Sequence, residues 1–215
     1  MKSYLVLGLG RFGESLAKTL SKHGHDILAV DKNEDIVQQF SSEVTHAIVA
    51  ESSNEEFLKS VGIKNFDAVI VAIGDIQSSI LTTVLLKELG AKYVLAKASN
   101  ELHAKVLYKV GVDKVVFPEK DMGIRAANSI LYRNIIDVME LFPEYSIMEI
   151  TVPSTWIGKT IRDLSVRSKF GVNIIALRKI QNLNVLPNAD AKFDEGDILV
   201  VMGKNSDLKA LQNLK

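Results

Sequence analysis

The chain has 215 residues, 47% of them hydrophobic, with 26 basic and 26 acidic residues and no cysteine. The lack of thiols excludes disulfide frameworks, thiolate catalysis, Cys-ligated zinc and iron–sulfur clusters, and zero net charge offers neither a nucleic-acid footprint nor a polybasic membrane patch. No apolar run approaches the ~20 residues that span a bilayer, and the sequence starts directly on a strand pattern without a signal peptide, so the expectation is a soluble intracellular protein of one or two domains.

The first element is the short apolar run Tyr4–Leu7, which reads as a buried strand and empties into Gly8-x-Gly10-x-x-Gly13. A helical pattern follows at once, with Leu16, Ala17 and Leu20 on one side and Lys18 and Lys22 on the other. This is the strand–turn–helix arrangement that holds a phosphate chain: the first glycine permits the tight turn, the second lets backbone approach the phosphates, and the third packs helix against strand. The helix N-terminus offers unpaired N–H groups and a positive dipole end to the anion. Arg11 sits inside the loop, where a guanidinium forms forked bonds to phosphate. It either reaches a third phosphate, its own or a neighbouring subunit's, or only neutralises the pyrophosphate at the surface. A hydrogen bond to a charged group is worth roughly 1.5–3 kcal/mol, about a tenfold to hundredfold preference between ligands.

Asp26–Val30 is a second strand and ends on Asp31, 18 residues past Gly13, near the ~20 expected of a ribose-binding carboxylate. An acid there accepts the ribose hydroxyls and repels a 2′-phosphate. NADP is disfavoured; NAD, ADP, ATP and AMP remain. The plain structural alternative is a tight turn with Asp31 capping the next helix.

Strand and helix patterns then alternate: a helix over Glu34–Phe40, a strand His46–Val49, a helix from the Asn54 cap to Val61, and the strand Ala68–Ile73. Ser78–Leu89 is helical, Tyr93–Ala96 a strand, Asn100–Val110 helical and Lys114–Phe117 a sixth strand, stopped by Pro118. Six short apolar strands separated by helices mean a parallel sheet covered on both faces, and right-handed crossovers give the doubly wound α/β fold, Rossmann-like. Lys97 and Glu119 fall at carboxyl ends of strands, the edge where such sheets bind ligands. Glu119 suits a divalent cation beside a phosphate; Lys97 suits the ligand or a structural ion pair.

After Pro118 the pattern changes. Asp121 caps an expected long helix to about Phe142, with the stripe Ile124, Ala127, Leu131, Ile135, Val138 and Phe142. Ile130, Ile136 and Met139 lie off the stripe, and a helix apolar on more than one face needs more than one packing partner. It is expected to be a crossover helix packing against another chain; a helix broken near Asn134 and packed within its own chain is the alternative. Ser146–Val152, Val172–Leu177, Asn184–Leu186 and Asp197–Met202 read as strands and Ser206–Leu214 as a last helix. The expected division is 1–120, a crossover helix 121–143, and a small α+β domain 144–215, marginal alone at its size and helped by dimerisation.

Gly158-Lys159-Thr160 ends like a phosphate-binding loop, but position 153 is Pro where that motif needs Gly. His23, His25, His46 and His103 have no metal-ligand spacing. No catalytic elbow or metalloprotease helix is present. With no convincing acid–base pair, the features favour a nucleotide sensor over an enzyme. An NAD(H)-linked oxidoreductase or NAD sensor is the alternative, and a bare cyclic-dinucleotide receptor a third reading.

The runs Leu7-Gly8-Leu9-Gly10-Arg11-Phe12-Gly13, Ala29-Val30-Asp31-Lys32-Asn33-Glu34, Val69–Gly74 and Phe117–Gly123 are together specific. With them the whole chain resembles the cytosolic gating subunits of bacterial Ktr potassium channels, the KtrA/KtrC type, of the RCK (TrkA) class. The resemblance implies an RCK N-domain and a small RCK C-domain, and octameric rings built from dimers beneath a membrane potassium-translocating subunit of KtrB/KtrD type. It implies ATP favouring the conducting state and ADP the inactive one, and a cytoplasmic protein held at the inner membrane face by its channel partner. By position it gives Gly8, Gly10, Arg11 and Gly13 the phosphates, with Arg11 sensing the γ-phosphate across a dimer. Asp31 takes the ribose with Asn33 beside it; Lys97 lies near the ligand; Glu119 coordinates a divalent cation (Mg or Ca) between subunits. Phe12, Ile73 and Gly74 join the nucleotide set through their runs. Glu51 joins it on the adenine side, in a segment reading Ala50-Glu51-Ser52-Ser53 where many relatives have Gly-Asp-Ala/Thr. A cyclic di-AMP groove in the C-domain is implied at Ile161, Arg167, Asn173, Ile174 and Pro187.

Overall fold

The protein, seen in a computed structural model, is described over residues 1–131, 134–180, 182–212 and 214. It divides into two units, Met1–Lys120 and Asp121–Lys215.

The first unit alternates β1 (Ser3–Leu7), α1 (Arg11–Lys22), β2 (Asp26–Asp31), α2 (Glu34–Phe40), β3 (His46–Val49), α3 (Glu55–Ser60), β4 (Ala68–Val71), α4 (Ile76–Glu88), β5 (Val94–Lys97), α5 (Glu101–Lys109) and β6 (Lys114–Val116). The strands pair in parallel in the order β3-β2-β1-β4-β5-β6, the expected Rossmann-like sheet. Its strand order reverses between β1 and β4, and ligands of open α/β sheets lie at that reversal. Successive side chains of a strand point to opposite faces. Leu5 and Leu7 therefore pack with Leu58, Leu86 and Leu107 of α3, α4 and α5, while Val6 packs with Ala17, Val37 and Phe40 of α1 and α2. Helix starts are set by short polar side chains. Asn33, Asn54, Asp75 and Asn100 each accept a backbone N–H in the first turn of α2, α3, α4 and α5, a cap worth about 1 kcal/mol.

Pro118, expected to stop the sixth strand, follows the end of β6 at Val116 and also opens α6 (Pro118–Leu131), where its missing N–H costs nothing. The second unit continues with β7 (Ile135–Phe142), β8 (Tyr145–Thr151), α7 (Ile161–Leu164), α8 (Val166–Phe170), β9 (Asn173–Lys179), β10 (Asn182–Val185), β11 (Ile198–Lys204) and α9 (Asn205–Gln212). Its five strands form an antiparallel sheet in the order β10-β9-β11-β8-β7. Trp156, Phe193, Leu177 and Leu199 are fully or nearly buried at its centre. The Trp156 ring lies 5.4 Å from Phe170 and 5.8 Å from Phe193.

The expected helix over 121–142 is corrected here. Helix persists only to Leu131, positions 132–133 lie outside the described residues, and 135–142 is strand. β7 pairs with β8 through a turn at Pro143 and Glu144. The helical spacing misled because β7 is bulged. Its register shifts between Ile135 and Asp137, so Ile135 and Val138, three apart, both face the core. The β-branched Ile135, Ile136 and Val138 favour the pleated state once β8 is alongside. The last helix, expected to Leu214, runs to Gln212, and residue 213 lies outside the described residues.

Candidate nucleotide site

A cavity of about 260 Å³ opens at the carboxyl ends of β1, β2, β4 and β5. Of the residues nominated from sequence, Gly8, Gly10, Asp31, Glu51, Ile73, Gly74 and Lys97 line it. The three loop glycines do different things. Gly8 has φ +97°, and a Cβ there would stand 2.9 Å from the Ala72 carbonyl oxygen. A Cβ on Gly13 would stand 1.9 Å from the Gly8 carbonyl oxygen, so α1 rests directly on the turn. Around Gly10 nothing lies within 4 Å of a Cβ; its bareness leaves room for something other than protein. Gly10 also starts α1 without a side-chain cap, unlike the next four α-helices. The first-turn N–H groups of α1 thus point toward an open space, the arrangement that receives an anion.

Asp31 is engaged on both oxygens. Oδ2 accepts the Leu9 N–H at 2.7 Å and Oδ1 the Asn33 N–H at 2.9 Å. A carboxylate has about four acceptor positions, so two remain open toward the cavity while the others tie the glycine loop to the end of β2. Asn33 caps α2, its Oδ1 accepting the Asp35 N–H at 2.9 Å. Phe12 is half-buried in the core beneath α1, and Gly13 is buried; neither lines the cavity. Arg11 is exposed and lines an adjoining cavity of about 460 Å³ with Glu14, Lys18 and Phe40, sharing only Gly10 with the first. Lys97 and Glu119 form an ion pair at 2.7 Å, the alternative foreseen for Lys97. That hydrogen bond is the main reason the Glu119 carboxyl titrates below its ordinary range.

A hard divalent cation takes about six or more oxygen ligands. Among the described residues no three His, Cys, Asp or Glu side chains converge on one point, and Glu119 already holds an ammonium. The donors among the described residues do not by themselves make a cation centre.

Sequence reasoning missed Lys32, Ser52, Ala72, Asp75 and Ser78, which also line the cavity. Asp75 follows the end of β4, so the strand-end rule that nominated Lys97 would have found it. Its Oδ2 accepts both the N–H and the hydroxyl of Ser78 at 2.8 Å, and the backbone bond lowers its pKa.

In the second unit Ile161 and Arg167 line an open cavity of about 600 Å³ with Arg162, Ser165 and Ala189. Asn173 and Ile174, on β9, and Pro187, beyond β10, do not line it. Gly158-Lys159-Thr160 is the entry of α7: Thr160 and Asp163 each accept the other's backbone N–H, at 3.1 and 2.9 Å. No helix among the described residues is long and apolar enough to cross a membrane.

Residues 4–118 match the TrkA-N domain and residues 147–215 the TrkA-C domain. The chain belongs to the family of Ktr potassium-uptake proteins built from a TrkA-N and a TrkA-C domain. It is 43% identical over 212 residues to Ktr system potassium uptake protein C of Bacillus subtilis (strain 168), covering 98% of this chain and 96% of that one. It is 44% identical over 213 residues to Ktr system potassium uptake protein A of the same organism, covering 99% and 96%. Among solved structures, the crystal structure of the GsuK RCK domain superposes with a TM-score of 0.70 at 19% identity. That likeness covers 99% of this chain but only 47% of the GsuK chain, and it supports the fold alone.

Proposed function

We propose that the chain is the nucleotide-sensing regulatory subunit of a membrane potassium-uptake system, acting by binding rather than catalysis. Its relatives are named for potassium uptake and not for a reaction. The observation that carries the ligand is the bare Gly10 at the uncapped start of α1, opening on a cavity bounded by Asp31 and Lys97. Phosphates take the α1 N–H groups and the lysines; the ribose takes the free acceptor positions of Asp31. ATP activates and ADP inactivates, because the two differ in what Arg11 can reach. Arg11 lines the neighbouring cavity, which suits contact with a phosphate presented by a second protomer. Dimers assemble into an octameric ring, a reading supported by α6, which buries no residue and exposes Met122, Ile124, Ile130 and Leu131. A divalent cation at Glu119 would need phosphate oxygens or a second chain to complete its shell. In the second unit, the cavity at Ile161 and Arg167 is the place for cyclic di-AMP, with Arg162 added to the residues nominated from sequence.

Calorimetric titration of the purified chain with ATP, ADP, NAD, NADH and cyclic di-AMP, with its mass measured in solution, tests this. ATP and ADP bind at low micromolar or better and Arg11→Ala narrows their ratio. A chain that binds NADH with quenching of nicotinamide fluorescence, and has little affinity for ATP, would instead be an NAD(H) sensor or oxidoreductase. An unchanged ratio in Arg11→Ala removes Arg11 as the discriminator.

A further inference from the structure

Lys97 belongs to two places. It ends β5 and lines the glycine-loop cavity, yet its ammonium sits 2.7 Å from Glu119, in the first turn of α6 and outside that lining. The lysine side chain is 16% exposed and the glutamate 69%. The lysine stem is thus fixed while its partner stands in solvent, and a lysine tip on a four-carbon stem reorients readily.

The rest of the lining makes this placement informative. Its other charges are Asp31, Glu51 and Asp75 against Lys32. Asp31 and Asp75 are immobilised by backbone N–H donors. A polyphosphate entering the cavity meets a surplus of carboxylates, and the half-buried Lys97 able to offset it is engaged next door. Moving that ammonium by a few side-chain torsions serves the ligand. Glu119 is not stranded by the move, since a carboxylate in a helix's first turn is stabilised by the dipole and by water.

We propose that Lys97 is a two-position cation, held by Glu119 while the cavity is empty and turned onto the phosphates of a nucleoside di- or triphosphate when one enters, releasing the Glu119 carboxylate at the start of α6. The proposal rests on the nucleotide reading of the cavity and adds a coupling to it. Nucleotide and Glu119 compete for one ammonium, so each weakens the other's hold. Occupancy of the cavity is thereby reported as a freed negative charge where the chain leaves the TrkA-N domain.

The test is a double-mutant cycle on the full chain, read as ADP affinity by calorimetry at fixed ionic strength with EDTA present, so that no divalent cation contributes. Glu119→Gln tightens ADP about threefold to fivefold, the share expected of a solvent-facing ion pair. Lys97→Met weakens ADP. In the Lys97→Met background Glu119→Gln changes nothing, because no ammonium remains to be released. Equal tightening in both backgrounds overturns the handover, being what removal of any nearby negative charge would give. ADP binding by Lys97→Met at wild-type strength overturns it as well. If Lys97→Met does not fold, Lys97→Gln repeats the cycle. A wild-type chain that shows no heat with ADP or ATP refutes the nucleotide reading itself, an outcome distinct from a working site without coupling.

Discussion

Alanine at Gly13 and alanine at Gly10 should fail in opposite ways. At Gly13 the added Cβ would lie 1.9 Å from the Gly8 carbonyl oxygen, against a floor of 3.0 Å, so α1 and the turn must part by 3.0 − 1.9 = 1.1 Å. Both partners are backbone held in a packed sheet, which places the cost at the upper end of overpacking, about 3 kcal/mol. For a unit of 120 residues, that lowers the melting temperature by about 10 °C. At Gly10 the backbone is extended, with φ −64° and ψ 177°, and no atom lies within 4 Å of the new methyl. The fold loses only the difference between glycine and alanine as a cap, on the order of 0.5–1 kcal/mol, or a few degrees. The methyl instead occupies the space where a phosphate must approach, and nucleotide affinity falls at least about tenfold. Scanning calorimetry with and without ADP, beside a binding titration, reads both effects. Gly10→Ala that binds ADP like the wild type refutes the assignment of that space to a ligand. Gly13→Ala that melts with the wild type refutes the packing argument.

Asp31→Ala strips two N–H groups of a charged acceptor, each bond worth about 1.5–3 kcal/mol. The melting temperature drops and the Leu9 amide exchanges faster in deuterium exchange; unchanged exchange there contradicts the tie between the loop and β2. His103 is buried, its Nδ1 takes the Ser99 N–H at 3.3 Å, and its Nε2 has no partner among the described residues. Desolvation lowers its pKa below the ordinary 6.5. The unfolded ring therefore protonates first: stability is full above 6.5 and is lost as pH falls from there toward the folded value. His103→Leu should flatten the melting curve between about pH 7.5 and 5.5 relative to wild type, and parallel curves would exclude His103 as the source. Phe193→Ala removes a fully buried ring beside the single tryptophan, Trp156. It should cost about 3–5 kcal/mol, shift the tryptophan-fluorescence transition to lower denaturant, and leave ADP binding intact. Loss of ADP binding would mean that the two units do not fold separately.

The first unit was legible because its signals are local and redundant. Each strand is short and apolar, and Asn54 and Asn100 cap helices as their position before an apolar run implies. Gly8, Gly10 and Gly13 carry their roles in their spacing. What escaped was set by contacts distant in sequence. Nothing near Ile135 announces that Ile150 lies opposite it, and a bulged strand imitates a helical stripe. The same holds at the site. Asp31 was nominated for a ligand, but its bond to Leu9, 22 residues away, makes it a structural tie as well. Arg11 was nominated by its place in the loop, and spacing alone cannot say which side of Gly10 the side chain takes. Lys32 lay in the quoted run Ala29–Glu34 without a role of its own, and Asp75 lay in none; both join the cavity because the parallel sheet brings the ends of β2 and β4 together.

The charges of the cavity constrain what it can select. Two ammonium groups, Lys32 and Lys97, face three carboxylates, Asp31, Glu51 and Asp75, so the lining carries a net charge of 2 − 3 = −1. Such a surface does not concentrate anions by its field; long-range attraction would bring a phosphate to a basic patch instead. Affinity for a phosphate chain would then come from directed donors at short range, the first-turn N–H groups of α1 and the tips of Lys32 and Lys97. The carboxylates must be offset by donors on the same ligand, which the hydroxyls of a sugar supply. If the cavity is the nucleotide site proposed above, it would reject free phosphate and reward a molecule with a sugar diol at one end and phosphates at the other. On the proposed nucleotide reading, discrimination between two and three phosphates would fall to groups outside its own walls, where Arg11 stands.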